Sequence, residues 1–267
     1  MLSGESLLAL STLSRREGSS MKIGIIGAGN IGRILAERLA RSGHDVSIAN
    51  SRAPETVEAS ALSTGAKAVW AADATRNADV VIVSVNFGQL PDVADLVATA
   101  PADAVIIDTS NYFPLRDGRI EAVEDGQVES EWVQQQYGRP IVKAWNTITT
   151  ASFRDKAYSK DLATRIALPI AADDDTQRAI GMRLVEETGF DAFDAGVIAD
   201  SWRQQPGSPV YTNDLTADEL PAALARAQRD RSALRRDLMM KVYLERIEAD
   251  GKEPDPERQL ALTRAIF

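Results

Sequence analysis

The stretch from Met21 to Arg52, MKIGIIGAGNIGRILAERLARSGHDVSIANSR, constrains this chain more than any other. Lys22 to Ile26 is a short isoleucine-rich run, the pattern of a parallel strand buried on both faces. Gly27-Ala28-Gly29-Asn30-Ile31-Gly32 then matches G-x-G-x-x-G. In such a turn the first glycine takes the tight bend and the second lets backbone approach a pyrophosphate. The third lets the following helix pack close to the strand. Ile31, Ile34, Leu35 and Leu39 share one face of that helix, which runs to about Arg41. Its N-terminus offers free N–H groups and the positive end of the helix dipole to an anion. Gly43 ends it, and Asp45 to Ala49 reads as a second strand. These elements fall in the order a dinucleotide site requires, so Gly27, Ala28, Gly29, Asn30, Ile31 and Gly32 are candidate cofactor-binding residues.

An NAD site carries an acidic residue after the second strand, accepting hydrogen bonds from the ribose hydroxyls. Here Asn50-Ser51-Arg52 stands in its place. A carboxylate would repel a 2′-phosphate, whereas the Ser51 hydroxyl and the Arg52 guanidinium would bind one. The expected cofactor is therefore NADP(H).

Composition removes several alternatives. Of 267 residues, 44% are hydrophobic and 26% charged, as in ordinary globular chains, and the net charge is -9. That balance argues against nucleic acid and anionic membrane as partners. There is no cysteine and a single histidine, His44. Thiolate metal sites, cysteine nucleophiles and histidine-based triads are excluded as readings, and no metal is expected. His44 falls in the turn before the second strand and reads as a surface residue. No apolar run approaches the roughly 18 residues needed to cross a bilayer, and the expected location is cytoplasmic. Residues 1–20 lack the basic start and cleavage region of a signal peptide and read as an N-terminal extension, disordered or loosely helical.

Along the chain, a helix is expected from Pro54 to Ser63, a third strand over Lys67–Trp70 and a helical turn over Ala72–Asn77. Asp79–Val85 reads as a fourth strand, Leu90–Ala98 as a helix and Asp103–Asp108 as a fifth strand. Residues 115–127 read as loop, Ser130–Tyr137 as a short helix and Pro140–Lys143 as a sixth strand. Thr164–Ala172, a helix over Thr176–Thr188 and Phe190–Asp194 complete a Rossmann-type, doubly wound, mainly parallel α/β sheet domain over 21–200. Asp173-Asp174-Asp175 supplies a helix cap and first-turn acids rather than a metal cluster. Ligands of an open parallel sheet bind beyond the carboxyl ends of its strands. Ser84, Val85, Asn86, Asn111, Ala144 and Asn146 collect at that edge and are the remaining candidate cofactor residues. Catalytic residues are not identified. Residues 201–267 form an aromatic segment, SWRQQPGSPVYTN, followed by a small C-terminal helical appendage. The aromatic segment is either a binding wall or a pinned linker. The apolar positions of the helices suit packing on the sheet domain or in a homodimer, and their cluster of arginines reads as a solvated face.

Through the motifs IGIIGAGNIG, NSR, VVIVSV, VIIDTSNYFP, VKAWNTI and FDAG, the chain resembles the family of F420-dependent NADP oxidoreductases and their dinucleotide-binding relatives over roughly Met21 to Asn213. The resemblance implies that Ser51 and Arg52 hold the 2′-phosphate and that Lys143 to Thr147 lie near the nicotinamide. It implies direct hydride transfer between NADP(H) and a second small redox molecule, a deazaflavin (F420) or a flavin being candidates, with little protein acid–base chemistry. Segments 115–138 and 201–250 depart from that family's pattern, which leaves the acceptor open. The alternatives are a small carbonyl or imine reductase and an NADP-binding protein without redox activity.

Overall fold

The computed structural model describes residues 20–161, 163–251 and 255–267. The extension expected over 1–20 lies, apart from Ser20, outside the described residues. Eight strands form one sheet: β1 Lys22–Ile26, β2 Asp45–Ala49, β3 Lys67–Ala68, β4 Val80–Val83, β5 Val105–Asp108, β6 Val142–Lys143, β7 Ala167–Ala172 and β8 Asp191–Asp194. Their order is β3-β2-β1-β4-β5-β6-β7-β8. Strands β1 to β6 run parallel. The direction reverses once, where β7 pairs antiparallel with β6, and β8 follows parallel to β7. The doubly wound, mainly parallel α/β architecture read from the sequence is the architecture observed.

The runs VVIV, VIID and ALPIAA are buried at every position, because helices cover both faces of the sheet. On one face Leu35 and Leu39 of helix α1 (Asn30–Arg41) pack on Ile23, Ile25 and Ile48. On the other, helix α2 (Glu129–Tyr137) brings Trp132 and Val133 against Phe87 and Ile106. The Phe87 and Trp132 rings stack with centroids 4.9 Å apart. Helix α3 (Asp175–Glu187) is capped by Asp174, whose carboxylate accepts from the Gln177 N–H at 2.8 Å. The acidic triplet thus serves the helix start, and no metal-holding group of three or more acids or histidines occurs among the described residues. No helix among them is long and apolar enough to cross a membrane.

Several local expectations are corrected. The helix expected from Pro54 to Ser63 is two short turns, Pro54–Thr56 and Ala59–Leu62, because the chain extends at Val57 and Glu58 to bury the Val57 side chain. Pro91 likewise limits the helix expected over Leu90–Ala98 to Ala94–Ala98, preceded by a tighter turn at Pro91–Val93. The third strand stops at Ala68, leaving Trp70 58% exposed. The 115–127 loop contains two one-turn helices, Pro114–Asp117 and Glu121–Glu124. They are held by Asp117 Oδ2 accepting from Phe113 N at 2.9 Å and by the Tyr112 hydroxyl between Gly118 O and Ile120 N. His44 is buried, not a surface residue. Its Nδ1 accepts from Met21 N at 3.1 Å and its Nε2 lies 2.5 Å from Glu187 Oε2, so it ties the start of β1 to the end of α3.

Residues 198–213 do not lie on the surface as a tether. Ser201, Gln204, Ser208 and Val210 are buried, and Ser201 Oγ sits 2.9 Å from Ser130 Oγ of α2. Gly207 is pressed against the helix Arg229–Asp250; a Cβ there would stand 2.0 Å from Ser232 O. Three helices follow: α4 Leu220–Ala225, α5 Arg229–Asp250 and α6 Pro256–Ile266. Their arginines do not all form a solvated face. Arg236 is buried, stacks over Tyr112 at 5.0 Å and pairs with Glu124 and Asp237 at 2.8 Å each. Leu234, Leu238 and Leu244 of α5 remain exposed.

Candidate functional site

The three glycines of the turn after β1 meet three different surroundings. Gly27 has φ +109°, and a Cβ on it would lie 2.1 Å from Ser84 O. A Cβ on Gly32 would lie 2.0 Å from Gly27 O, so the helix can start against the turn only without a side chain. At Gly29 a Cβ would meet nothing within 4 Å. The bend and the close packing are thus filled by protein, while the middle glycine faces open space at the first turn of α1. A cradle of this kind fits a pyrophosphate, which needs backbone N–H groups and no intervening side chain. Ser84 and Val85 pack against Gly27, with Val85 Cγ1 3.1 Å from the position of a Gly27 Cβ.

After β2, Asn50 Oδ1 accepts from Arg52 N at 2.8 Å and Asn50 Nδ2 donates to Thr56 Oγ1 at 2.9 Å. This turn leaves Ser51 and Arg52 exposed, and Arg52 makes no ion pair with a described residue. Arg33, one turn into α1, is held by Asn30 and by an ion pair with Glu58. No carboxylate occupies Asn50, Ser51 or Arg52, so the donor set fits a phosphate better than a bare ribose diol.

Beyond β5 and β6, amide side chains lock together. Asn111 Nδ2 donates to Asn146 O at 2.9 Å, and Asn146 Nδ2 donates to Asn111 Oδ1 at 3.2 Å and to Gln204 O at 2.9 Å. Gln204 Nε2 donates to Asn146 Oδ1 at 3.2 Å. Asn146 is buried with every polar atom of its side chain engaged, and Ala144 is buried completely. Of the predicted strand-end residues, Asn111 borders the open cleft, Asn86 is exposed, and Ala144 and Asn146 form the packed support behind. The bend that aims Asn146 is sharp, with Trp145 at φ +57° and its indole N–H donating to Thr188 Oγ1 at 3.1 Å.

Sequence reasoning missed a set of buried charges under this floor. Lys143 Nζ lies 2.7 Å from Asp108 Oδ2 and 2.5 Å from Ser110 O, with both side chains fully buried. Glu129, at the first turn of α2, is 1% exposed and accepts from Tyr112 N at 3.2 Å. Burial pushes its carboxyl up to about 7, against the opposing influence of Lys143, the Tyr112 N–H and Arg236. The site is therefore not poor in ionisable groups, as the absence of histidine and cysteine suggests. The signal available in the sequence was Glu129 immediately before a predicted helix, where an acid reads as an ordinary dipole partner.

A cleft of ≈ 380 Å³ opens from Asn30 and Ile31 across Asn111 and Phe113 to Tyr211, and is roofed by Met239, Met240, Tyr243 and Arg246 of α5 and by Arg258 and Leu262 of α6. Asn30 and Ile31 of the glycine turn, Asn111 beyond β5, Tyr211 of the aromatic segment and the C-terminal helices thus converge on one space. Of the two readings of SWRQQPGSPVYTN, its interior is pinned and Tyr211 lines the cleft.

Comparison with known proteins agrees with this geometry. Residues 22–112 match the family model described as NADP oxidoreductase, coenzyme F420-dependent. The Escherichia coli K12 protein YjhV is 40% identical over 65 residues, which cover 24% of this chain and 47% of that protein, so the match spans about half of this curated relative. The crystal structure of hypothetical protein SMa0349 from Sinorhizobium meliloti superposes with TM-score 0.63 at 29% identity, covering 76% of this chain and 98% of that one. A protein from Arthrobacter sp. FB24 described as a candidate F420-dependent NADP reductase gives TM-score 0.55 at 18% identity over 88% of this chain and 96% of its own. A 3-hydroxyisobutyrate dehydrogenase from Mycobacterium tuberculosis gives 0.50 at 19% over 68% and 56%. At these last two identities the likeness is one of fold. Residues 22–112, which hold the glycine turn, the Ser51–Arg52 pair and the fourth and fifth strands, are the stretch that matches the family described as NADP oxidoreductase, coenzyme F420-dependent.

Proposed function

We propose that the protein is an NADP(H)-dependent oxidoreductase that transfers a hydride directly between the nicotinamide and a second redox molecule bound in the cleft under α5 and α6. The observation that carries this reading is the open space at Gly29 combined with an exposed Ser51 and Arg52 where an NAD site would have an acid. NADPH, when bound, supplies the hydride. The backbone N–H groups at Gly29 to Ile31 would hold the pyrophosphate, and Ser51 and Arg52 the 2′-phosphate. Ser84, Val85, Asn86 and Asn111 would border the ribose and the nicotinamide. Ala144 and Asn146 act behind them, by fixing the Asn111 loop.

The aromatic and thioether side chains of Phe113, Tyr211, Tyr243, Met239 and Met240 suit a flat apolar partner and exclude water from it. Direct transfer between stacked rings needs such proximity and dryness and no proton donor. Lys143 is committed to Asp108 and Ser110 and is not a general acid for a carbonyl. A deazaflavin such as F420 is the first acceptor to test and a flavin the second, because the family description names F420. The test follows loss of NADPH absorbance with F420, FMN, quinones, carbonyls and imines in turn. Oxidation of NADPH by one of them is expected; tight NADPH binding with no oxidation across the panel would make this a binding protein without redox activity. The exposed Leu234, Leu238 and Leu244 of α5 support a homodimer, which sedimentation would test.

A further inference from the structure

The cleft is unusual in charge for this chain. The protein as a whole is -9, yet among the described residues the cleft is lined by Arg116, Arg246 and Arg258 and by no aspartate or glutamate. Arg116 is already matched, bidentate on Asp117 and donating to Asn111 O. Arg236 and Arg264, outside the cleft on the same helices, are matched too, Arg236 by Glu124 and Asp237 and Arg264 by Asn213 O. Arg246 and Arg258 have no carboxylate partner among the described residues, and the Arg246 Nε is buried with no hydrogen bond. Glu257, the acid nearest Arg258 in sequence, is turned to Lys156 at 3.8 Å. A buried donor without a partner is unfavourable, so an acceptor brought by a ligand would be favoured at Arg246.

We propose that Arg246 and Arg258 form an anion clamp across the roof of the cleft, closing on a phosphate or carboxylate of the bound ligand. This rests on the oxidoreductase reading above and assigns the α5–α6 pair a direct part in ligand recognition. The two arginines come from different helices and line the same cleft, α5 ending at Gly251 with φ +66°. Facing them across the same cleft are Asn30 and Ile31 at the start of α1, whose N–H groups and dipole favour the same sign of ligand. A guanidinium is the side chain best matched to a phosphate or carboxylate, through two parallel donors. The anion has two sources: the pyrophosphate of the dinucleotide, or an acidic group on the acceptor.

The experiment compares wild type with Arg246→Gln/Arg258→Gln. NADPH and NADH are titrated by nicotinamide fluorescence. FMN against riboflavin, and F420 against its phosphate-free deazaflavin core, are titrated onto the NADP-loaded protein. The double variant is expected to lose tenfold or more for one class of anion. If the pyrophosphate is the target, NADPH and NADH weaken alike. If the acceptor is the target, NADPH affinity holds, wild type prefers the phosphorylated member of a pair by tenfold, and the variant erases that preference. Arg258 is exposed, so Arg258→Gln alone keeps the fold and is expected to weaken the same probe about threefold; it decides the matter if the double variant melts early. Unchanged NADPH affinity together with no phosphate preference overturns the clamp. A wild type that binds neither NADPH nor NADH overturns the oxidoreductase reading instead.

Discussion

Lys143 Nζ and Asp108 Oδ2 lie 2.7 Å apart with both side chains fully buried, at the carboxyl ends of neighbouring strands β6 and β5. The ammonium also takes Ser110 O, so one buried cation fixes the turn that leads to Asn111. Removing one partner would strand the other charge in the interior, which destabilises by about 3 kcal/mol. Lys143→Met should therefore lower the melting temperature by about 6–12 °C, at the scale expected for a domain of this size. Lys143→Met/Asp108→Leu should recover part of the loss. Scanning calorimetry decides it; a double variant no better than the single would mean the charge pair is not the source.

Glu129 makes stability depend on pH. Its folded-state carboxyl is raised from 4.5 to about 7, chiefly by burial. Between those values the folded protein holds more protons than the unfolded chain, so the contribution is full below pH 4.5 and is lost as pH rises through about 7. The whole swing is about 3 kcal/mol. Glu129→Gln should remove this downward slope and gain on the wild type above pH 7. Urea midpoints at pH 5, 6, 7 and 8 would measure it; parallel curves for the two proteins would refute it.

Gly29 and Gly32 should separate folding from binding. Gly29→Ala adds a methyl group to open space at φ -75°, an ordinary backbone conformation. It should melt like the wild type and lose NADPH affinity at least tenfold. Gly32→Ala drives a Cβ to 2.0 Å from Gly27 O and should destabilise the fold itself. Tight NADPH binding by a well-folded Gly29→Ala protein would remove the pyrophosphate from this turn.

Arg52→Ala tests the choice of nucleotide. A charge-assisted bond is worth about 1.5–3 kcal/mol, so NADPH should bind about 10–100-fold more weakly while NADH is unchanged. Equal effects on the two nucleotides would take Arg52 away from the 2′-phosphate.

The strands and the glycine turn were legible because their signals are local. A run such as VVIV is explained by burial on both faces, and G-x-G-x-x-G by contacts largely within its own strand and helix, with Ser84 and Val85 as distant neighbours. Val57, His44 and Arg236 were misread for the opposite reason: their partners are the core, Glu187 and Glu124, which the chain brings near only after folding. Asn146 read as a ligand residue because it follows a strand end, and its engagement by Asn111 and Gln204 depends on a segment 58 residues away.

The sequence by itself determined the sheet, the glycine turn and the Ser51–Arg52 pair, since hydrophobic period, glycine spacing and residue charge act over a few residues. Only the tertiary structure decided that α5 and α6 roof the cleft, that Glu129 and the Lys143–Asp108 pair lie buried beside its floor, and that Arg246 meets no acid among the described residues. Those facts are pairings between distant segments, and burial, desolvation and unmet hydrogen bonds exist only once the chain has packed.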